Sequence, residues 1–118
     1  MMNDIEKKAT TMTRMSFREV ARSNNWLVPC IRFRDVSVSE QIEKVKEEIA
    51  EVIEAYEQYA KSGRYEDMTA LMMECADVQI CMETLMDKLG AGDIDRSIAR
   101  KRVFDKNNER DYYKAKKE

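Results

Sequence analysis

Turn-forming residues are nearly missing from this chain: of 118 residues, 3 are glycine and 1 is proline. A sandwich or barrel needs such residues at each reversal, so those folds are disfavoured and helices of good helix formers are favoured. The apolar pattern agrees. Ile42, Val45, Ile49, Val52, Tyr56 and Tyr59 recur at alternating gaps of three and four, as one stripe on a helix. Ser37 and Glu40 precede it with the S-x-x-E spacing of a capping box, and Gly63 follows as a residue able to take the left-handed conformation that ends a helix. Such a helix spans roughly 35 Å at 1.5 Å per residue.

The next helix is predicted from Tyr65 to Leu89, with a stripe of Met68, Leu71, Cys75, Val78, Met82, Leu85, Met86 and Leu89 and a stop at Gly90. A linker of a few residues makes these two helices antiparallel neighbours. A further helix is capped by Asp93 or Asp95, continues through Ile94, Ile98, Val103 and Phe104, and frays from Lys114. Asp4 to Arg22 reads as a less regular helix with Ile5, Met12, Met15 and Val20 on one face. Ser23 to Val36, which holds the single proline, Pro29, reads as a loop with a short turn or extended piece around Trp26 to Phe33. The expected fold is all-α, one domain over 1–118: a helix and loop over 1–36, a core over 37–113 and a charged tail over 114–118. It is a helical bundle around a central antiparallel pair. A chain this short buries a slim core. The methionine stripe is read as core, and completion of that core by oligomerisation is expected.

Charge narrows the function. The net value of −2 conceals three blocks. Residues 1–34 carry +4, residues 35–95 carry −11 and residues 96–118 carry +5. An acidic middle between basic ends is a prior for a site that joins cations to anions. Histidine is absent, which excludes Ser-His-Asp and Cys-His nucleophilic sites and HExxH zinc sites. Cys30, Cys75 and Cys81 form no CxxC pair, and an odd count makes a poor disulfide framework, so a reducing, cytoplasmic setting is expected. No membrane span and no secretory leader is expected, since mean hydropathy is −0.67 and Met1 to Thr10 has no apolar core. The acidic middle and a pI of about 5.4 argue against nucleic-acid binding.

Two acid pairs stand out from the other 19 acidic residues by their phase. With 100° per residue, Glu48 and Glu51 lie about 60° apart on one edge of the first long stripe, and Glu74 and Asp77 take the same position on the next. Packing the two stripes together then brings four carboxylates to one place. Ionised and half buried, they repel, and divalent cations remove that cost. Mg²⁺ takes oxygen ligands and keeps positions for water and phosphate, whereas an all-carboxylate cluster suits zinc poorly.

Glu47-Glu48-Ile49-Ala50-Glu51, followed by Glu74-Cys75-Ala76-Asp77, resembles the EExxE…ExxD signature of MazG-like proteins, which belong to the all-α nucleoside triphosphate pyrophosphohydrolase superfamily. The resemblance covers roughly residues 37–113. It implies Mg²⁺ dependence, with Mn²⁺ as a substitute, assembly into a homodimer or homotetramer, and hydrolysis between the α- and β-phosphates of a nucleoside triphosphate. Glu48, Glu51, Glu74 and Asp77 match the metal ligands. Glu47 matches the extra glutamate, a group that orients water or supports the ligands. Phosphoribosyl-ATP pyrophosphatases carry a histidine near the acidic motif, so that branch is disfavoured here.

Lys106-Asn107-Asn108-Glu109-Arg110 resembles the KNxxR element that contacts the triphosphate in many of these proteins. Arg102, Lys106 and Arg110 recur every four residues as one basic stripe, either a phosphate-binding face or a solvated one. Trp26 has two readings, a ring that stacks on a base or a plug at the bundle end. The expected activity is Mg²⁺-dependent release of pyrophosphate from a nucleoside triphosphate, with Glu47 or Glu51 accepting the proton of the attacking water. Its rival is a non-catalytic helical oligomer acting as a regulatory or adaptor protein.

Overall fold

A computed structural model describes residues 26–117. They form a short 3-10 turn, Ile31–Phe33, and three α-helices: α1, Val38–Ser62; α2, Tyr65–Lys88; and α3, Asp93–Glu109. There is no strand among the described residues. The helix expected over Asp4 to Arg22 lies outside them.

Local chemistry sets the helix ends. Ser37 Oγ accepts the N–H of Glu40 at 3.1 Å, one half of the expected capping box. Gly63 has φ 61° and closes α1 by donating to the Tyr59 carbonyl at 2.8 Å. A side chain there would be strained, since only glycine takes this conformation without cost. Gly90, at φ 88°, follows α2 in the same way. α3 starts after Gly92 rather than after Asp93 or Asp95. Asp95 instead accepts the Gly92 N–H at 3.2 Å, reaching back along the first turn. The helix ends at Glu109, ahead of the expected Lys114, because Asp111 turns left-handed at φ 58° and Tyr112 donates back to Asn107 O at 2.9 Å.

α1 and α2 pack against each other, but on a narrower face than their apolar residues span. The less exposed positions of α1 are Gln41, Val45, Glu48, Val52, Ala55, Tyr59 and Ser62. They alternate gaps of four and three, the spacing of a coiled-coil seam. Ile42, Ile49 and Tyr56, expected in the packed stripe, are exposed, as is Ile53. On α2, Leu71, Val78 and Leu85 are packed, whereas Cys75, Met82 and Leu89 are exposed. Cys75 is therefore not the core residue the periodicity implied, while Cys81 is buried. The sequence shows how wide an apolar stripe is, not which half of it a neighbour covers.

Polar contacts hold the remaining pieces. α2 turns a second face, Glu83, Thr84 and Asp87, toward α3 and the segment before α1. Glu83 and Arg96 are almost wholly buried and pair at 2.5 Å. Arg100 adds a second cation at 3.0 Å. Arg96 also bonds Ala91 O and Asp93. Thr84 Oγ1 accepts the Cys30 N–H at 2.9 Å, Asp87 takes Arg34 at 2.9 Å, and Lys88 Nζ donates to Phe33 O at 2.7 Å. Among the described residues, only Val45 and Cys81 are buried apolar side chains.

Removing one member of a buried ion pair strands its partner's charge, at a cost of about 3 to 5 kcal/mol. Arg96→Ala is therefore expected to lower unfolding free energy in urea titrations by about 3 kcal/mol, with Arg100 limiting the loss. Lys101→Ala, which breaks the exposed pair with Asp105, is expected to change it by less than about 0.5 kcal/mol.

Candidate metal centre

Midway along the α1–α2 seam, carboxylates take positions where a seam ordinarily holds leucine or valine. Glu48 follows Val45 by three residues and precedes Val52 by four, so helical geometry points it at α2. Glu74 lies between the packed Leu71 and Val78 and is aimed back at α1. Asp77, one turn after Glu74, stands at the edge. One carboxylate oxygen from each of Glu48, Glu74 and Asp77 lies within 4.8 Å of the others. Glu48 is buried, Glu74 intermediate and Asp77 exposed. Phase analysis expected both acid pairs beside the seam. Glu48 and Glu74 instead lie inside it, because the packed face is rotated toward them and away from Ile42 and Ile49.

The charge balance of this cluster is incomplete. Glu48 Oε1 takes the ammonium of Lys44 at 3.1 Å. Glu48 Oε2 and Glu74 Oε2 are sealed from solvent and have no hydrogen-bond partner. A sealed acceptor without a partner costs about 1 to 3 kcal/mol, and more when ionised. Glu51, the fourth acid expected at the site, is exposed and is not one of the three grouped acids. Its carboxyl is pushed above the usual carboxylate range, first by the negative charge of Glu48, then by lost hydration and a hydrogen bond with Glu74. Lys44 is held protonated more firmly than a free lysine by its bond to Glu48. The three grouped ligand atoms are all carboxylate oxygens, the donors that a hard divalent cation prefers. The orphaned oxygens of Glu48 and Glu74 fit such an ion.

A cleft of about 470 Å³ opens beside the cluster. Cys30, Phe33 and Val36 line one wall and Ile80, Cys81 and Thr84 another, while Glu48 and Asp77 belong to both cleft and cluster. Glu47 is at its mouth, well exposed, 3.9 Å from Lys44. Burial, and then the charge of Glu48, push the Cys81 thiol up, so it stays protonated and unreactive.

The other candidate residues are elsewhere. Arg102, Lys106 and Arg110 are exposed on α3 or just after it, and Asn107 donates to the Tyr113 hydroxyl at 3.3 Å. Arg110 lies over the Tyr112 ring at 5.8 Å. None of the four lines the cleft, and among the described residues none pairs with Glu48, Glu74 or Asp77. Trp26, half-exposed with φ 66°, does not line this cleft either. Residues that sequence reasoning passed over are Lys44, Gln41 and Phe33. The four-and-three spacing from Gln41 through Val45 to Glu48 pointed to Gln41. No local signal pointed to Phe33, which tertiary contacts bring in.

Because Glu51 holds its proton more tightly in the folded than in the unfolded state, protonating it favours folding. Without divalent cations, melting temperature is expected to rise as pH falls through its raised value toward the ordinary 4.5, as repulsion is relieved. Above that window the repulsion is fully present. Glu51→Gln is expected to flatten this part of the profile and to raise melting temperature at pH 7. Addition of Mg²⁺ at pH 7 is expected to raise the wild-type melting temperature, by about 2.7 kcal/mol of stability at 100 times its dissociation constant. Comparison with family models, curated proteins and solved structures found no match, so the family resemblance stands on its residues alone.

Proposed function

We propose that this protein hydrolyses a nucleoside triphosphate to the monophosphate and pyrophosphate, in the manner of the MazG-like proteins its acidic motifs resemble. One observation carries the reading: acids from two helices converge in a packed seam and leave two sealed carboxylate oxygens without partners. Energetically costly like-charge clustering of this kind is what a cation site requires and what a passive seam avoids. Contacts support the expected antiparallel pair, since Ser62 meets Asp67 near the linker while Gln41 reaches Cys81 far from it.

Glu48, Glu51, Glu74 and Asp77 would hold Mg²⁺, or Mn²⁺ in its place. When bound, the metal supplies positive charge to the α-phosphate and the leaving pyrophosphate and lowers the pKa of a coordinated water. The chain's residues do the rest. Glu51, or Glu47 at the cleft mouth, accepts the proton of the attacking water. Lys106 and Arg110, with Arg102, neutralise the β- and γ-phosphates, and Asn107 donates a hydrogen bond to them. They do not touch the acids inside one chain, so this role draws on a homodimer or homotetramer. The exposed apolar residues of α1 and α3, among them Ile49, Ile53, Ile98 and Phe104, supply a surface for such assembly.

The same exposed surface favours a second reading, a non-catalytic helical adaptor. Isothermal titration with Mg²⁺ and a non-hydrolysable triphosphate separates them, because the adaptor gives no heat with either. Glu51→Gln and Asp77→Asn are expected to lower pyrophosphate release at least 100-fold, by analogy with other losses of transition-state charge stabilisation, with helical circular dichroism retained. Full activity in either variant overturns the assignment.

A further inference from the structure

We propose that the cleft beside the acids seats the nucleobase, and that Gln41 reads it through its side-chain carbonyl, favouring bases that present an amino group. The proposal rests on the nucleotide reading above and adds to it the class of base.

Gln41 is 4 % exposed and lines the cleft. Its orientation is fixed by chemistry. The amide contacts the Cys81 carbonyl at 3.1 Å, and a carbonyl only accepts, so Nε2 must be the atom facing it. Nε2 also reaches Cys81 Sγ at 3.2 Å. Oε1 is thereby turned away from α2. It accepts no hydrogen bond among the described residues, and it is not one of the sealed unpartnered atoms, so it faces the cleft.

Thr84 Oγ1 donates to Ile80 O at 2.8 Å and Nε2 is on Cys81, while Lys44, the one cation in the lining, gives one of its three N–H bonds to Glu48 at 3.1 Å and is half exposed. At the position facing Oε1, beside the apolar Phe33, Val36 and Ile80, the cleft therefore offers an acceptor. An exocyclic amine finds a partner there. A carbonyl at the same edge of the base meets Oε1 and stays unpaired, losing its bond to water. Glu48 and Asp77 line the cleft and belong to the acid cluster, so a ligand seated in one lies against the other.

The test uses the full chain and nucleosides without phosphate or metal, which isolates the cleft. Cytidine against uridine, and adenosine against inosine, exchange an amine for a carbonyl at nearly constant size. Ligand-observed NMR titration is expected to show the amino member of each pair binding about tenfold tighter. Gln41→Met keeps length and removes both polar atoms, and is expected to abolish the preference. Ile80→Trp fills the cleft and is expected to abolish binding of all four, with circular dichroism confirming the fold of both variants. Equal affinities within the pairs, preference retained in Gln41→Met, or binding retained in Ile80→Trp overturns the proposal, as does failure of all four to bind. Pyrophosphate release assays separate it from the wider reading. Equal release from CTP and UTP overturns base selection alone, whereas no release from any triphosphate, with nucleoside preference intact, overturns hydrolysis alone.

Discussion

Like charges forced together between two helices dominate this structure. A seam built on four-and-three spacing gains its stability from apolar contact, yet at Glu48 and Glu74 it holds carboxylates facing each other. Lys44 compensates one oxygen of Glu48, and Glu51 compensates by holding its own proton more tightly. The sealed oxygens remain unanswered. The cluster thus stores an unfavourable interaction at a defined place, and a doubly charged ion is the simplest ligand that turns it into a favourable one.

The rest of the molecule is arranged so that this strain does not separate the helices. The Gly63 turn ties the end of α1 to the start of α2, and Gln41 ties their far ends through Cys81. On its other face α2 is clamped by Arg96, Arg100 and Arg34, which bond its carboxylates, and its own Lys88 donates to the Phe33 carbonyl. Buried ion pairs of this kind give modest net stability but strict geometry, because every alternative arrangement leaves a charge unpaired. Hydrogen bonds of Thr84 and Lys88 to the backbone, with the Arg34–Asp87 pair, hold the segment around Cys30 and Phe33 beside the cleft, where apolar packing alone is too sparse to do so.

That sparse packing has a counterpart on the outside. Ile42, Ile49, Ile53 and Tyr56 on α1 and Ile94, Ile98, Val103 and Phe104 on α3 stay exposed. The described residues carry more apolar surface than they can bury among themselves, which is the physical basis for expecting further copies of the chain around them.

The sequence by itself determined the helices, the ends of α1 and α2, and their acidic content. Scarce glycine and proline, the three-and-four periodicity, Ser37 as cap, and Gly63 and Gly90 as stops are local effects, and local effects can be read from neighbours in the chain. It also singled out Glu48, Glu74 and Asp77, because residues one turn apart must share a helix face. Which face is packed was decided only by the tertiary structure. Both halves of the α1 stripe are apolar enough to serve, and the choice between Val45 and Ile42 depends on what stands opposite. The same holds for the cleft: Phe33 and Thr84 are far apart in sequence and line one cleft only because long-range hydrogen bonds fold the segment before α1 against α2.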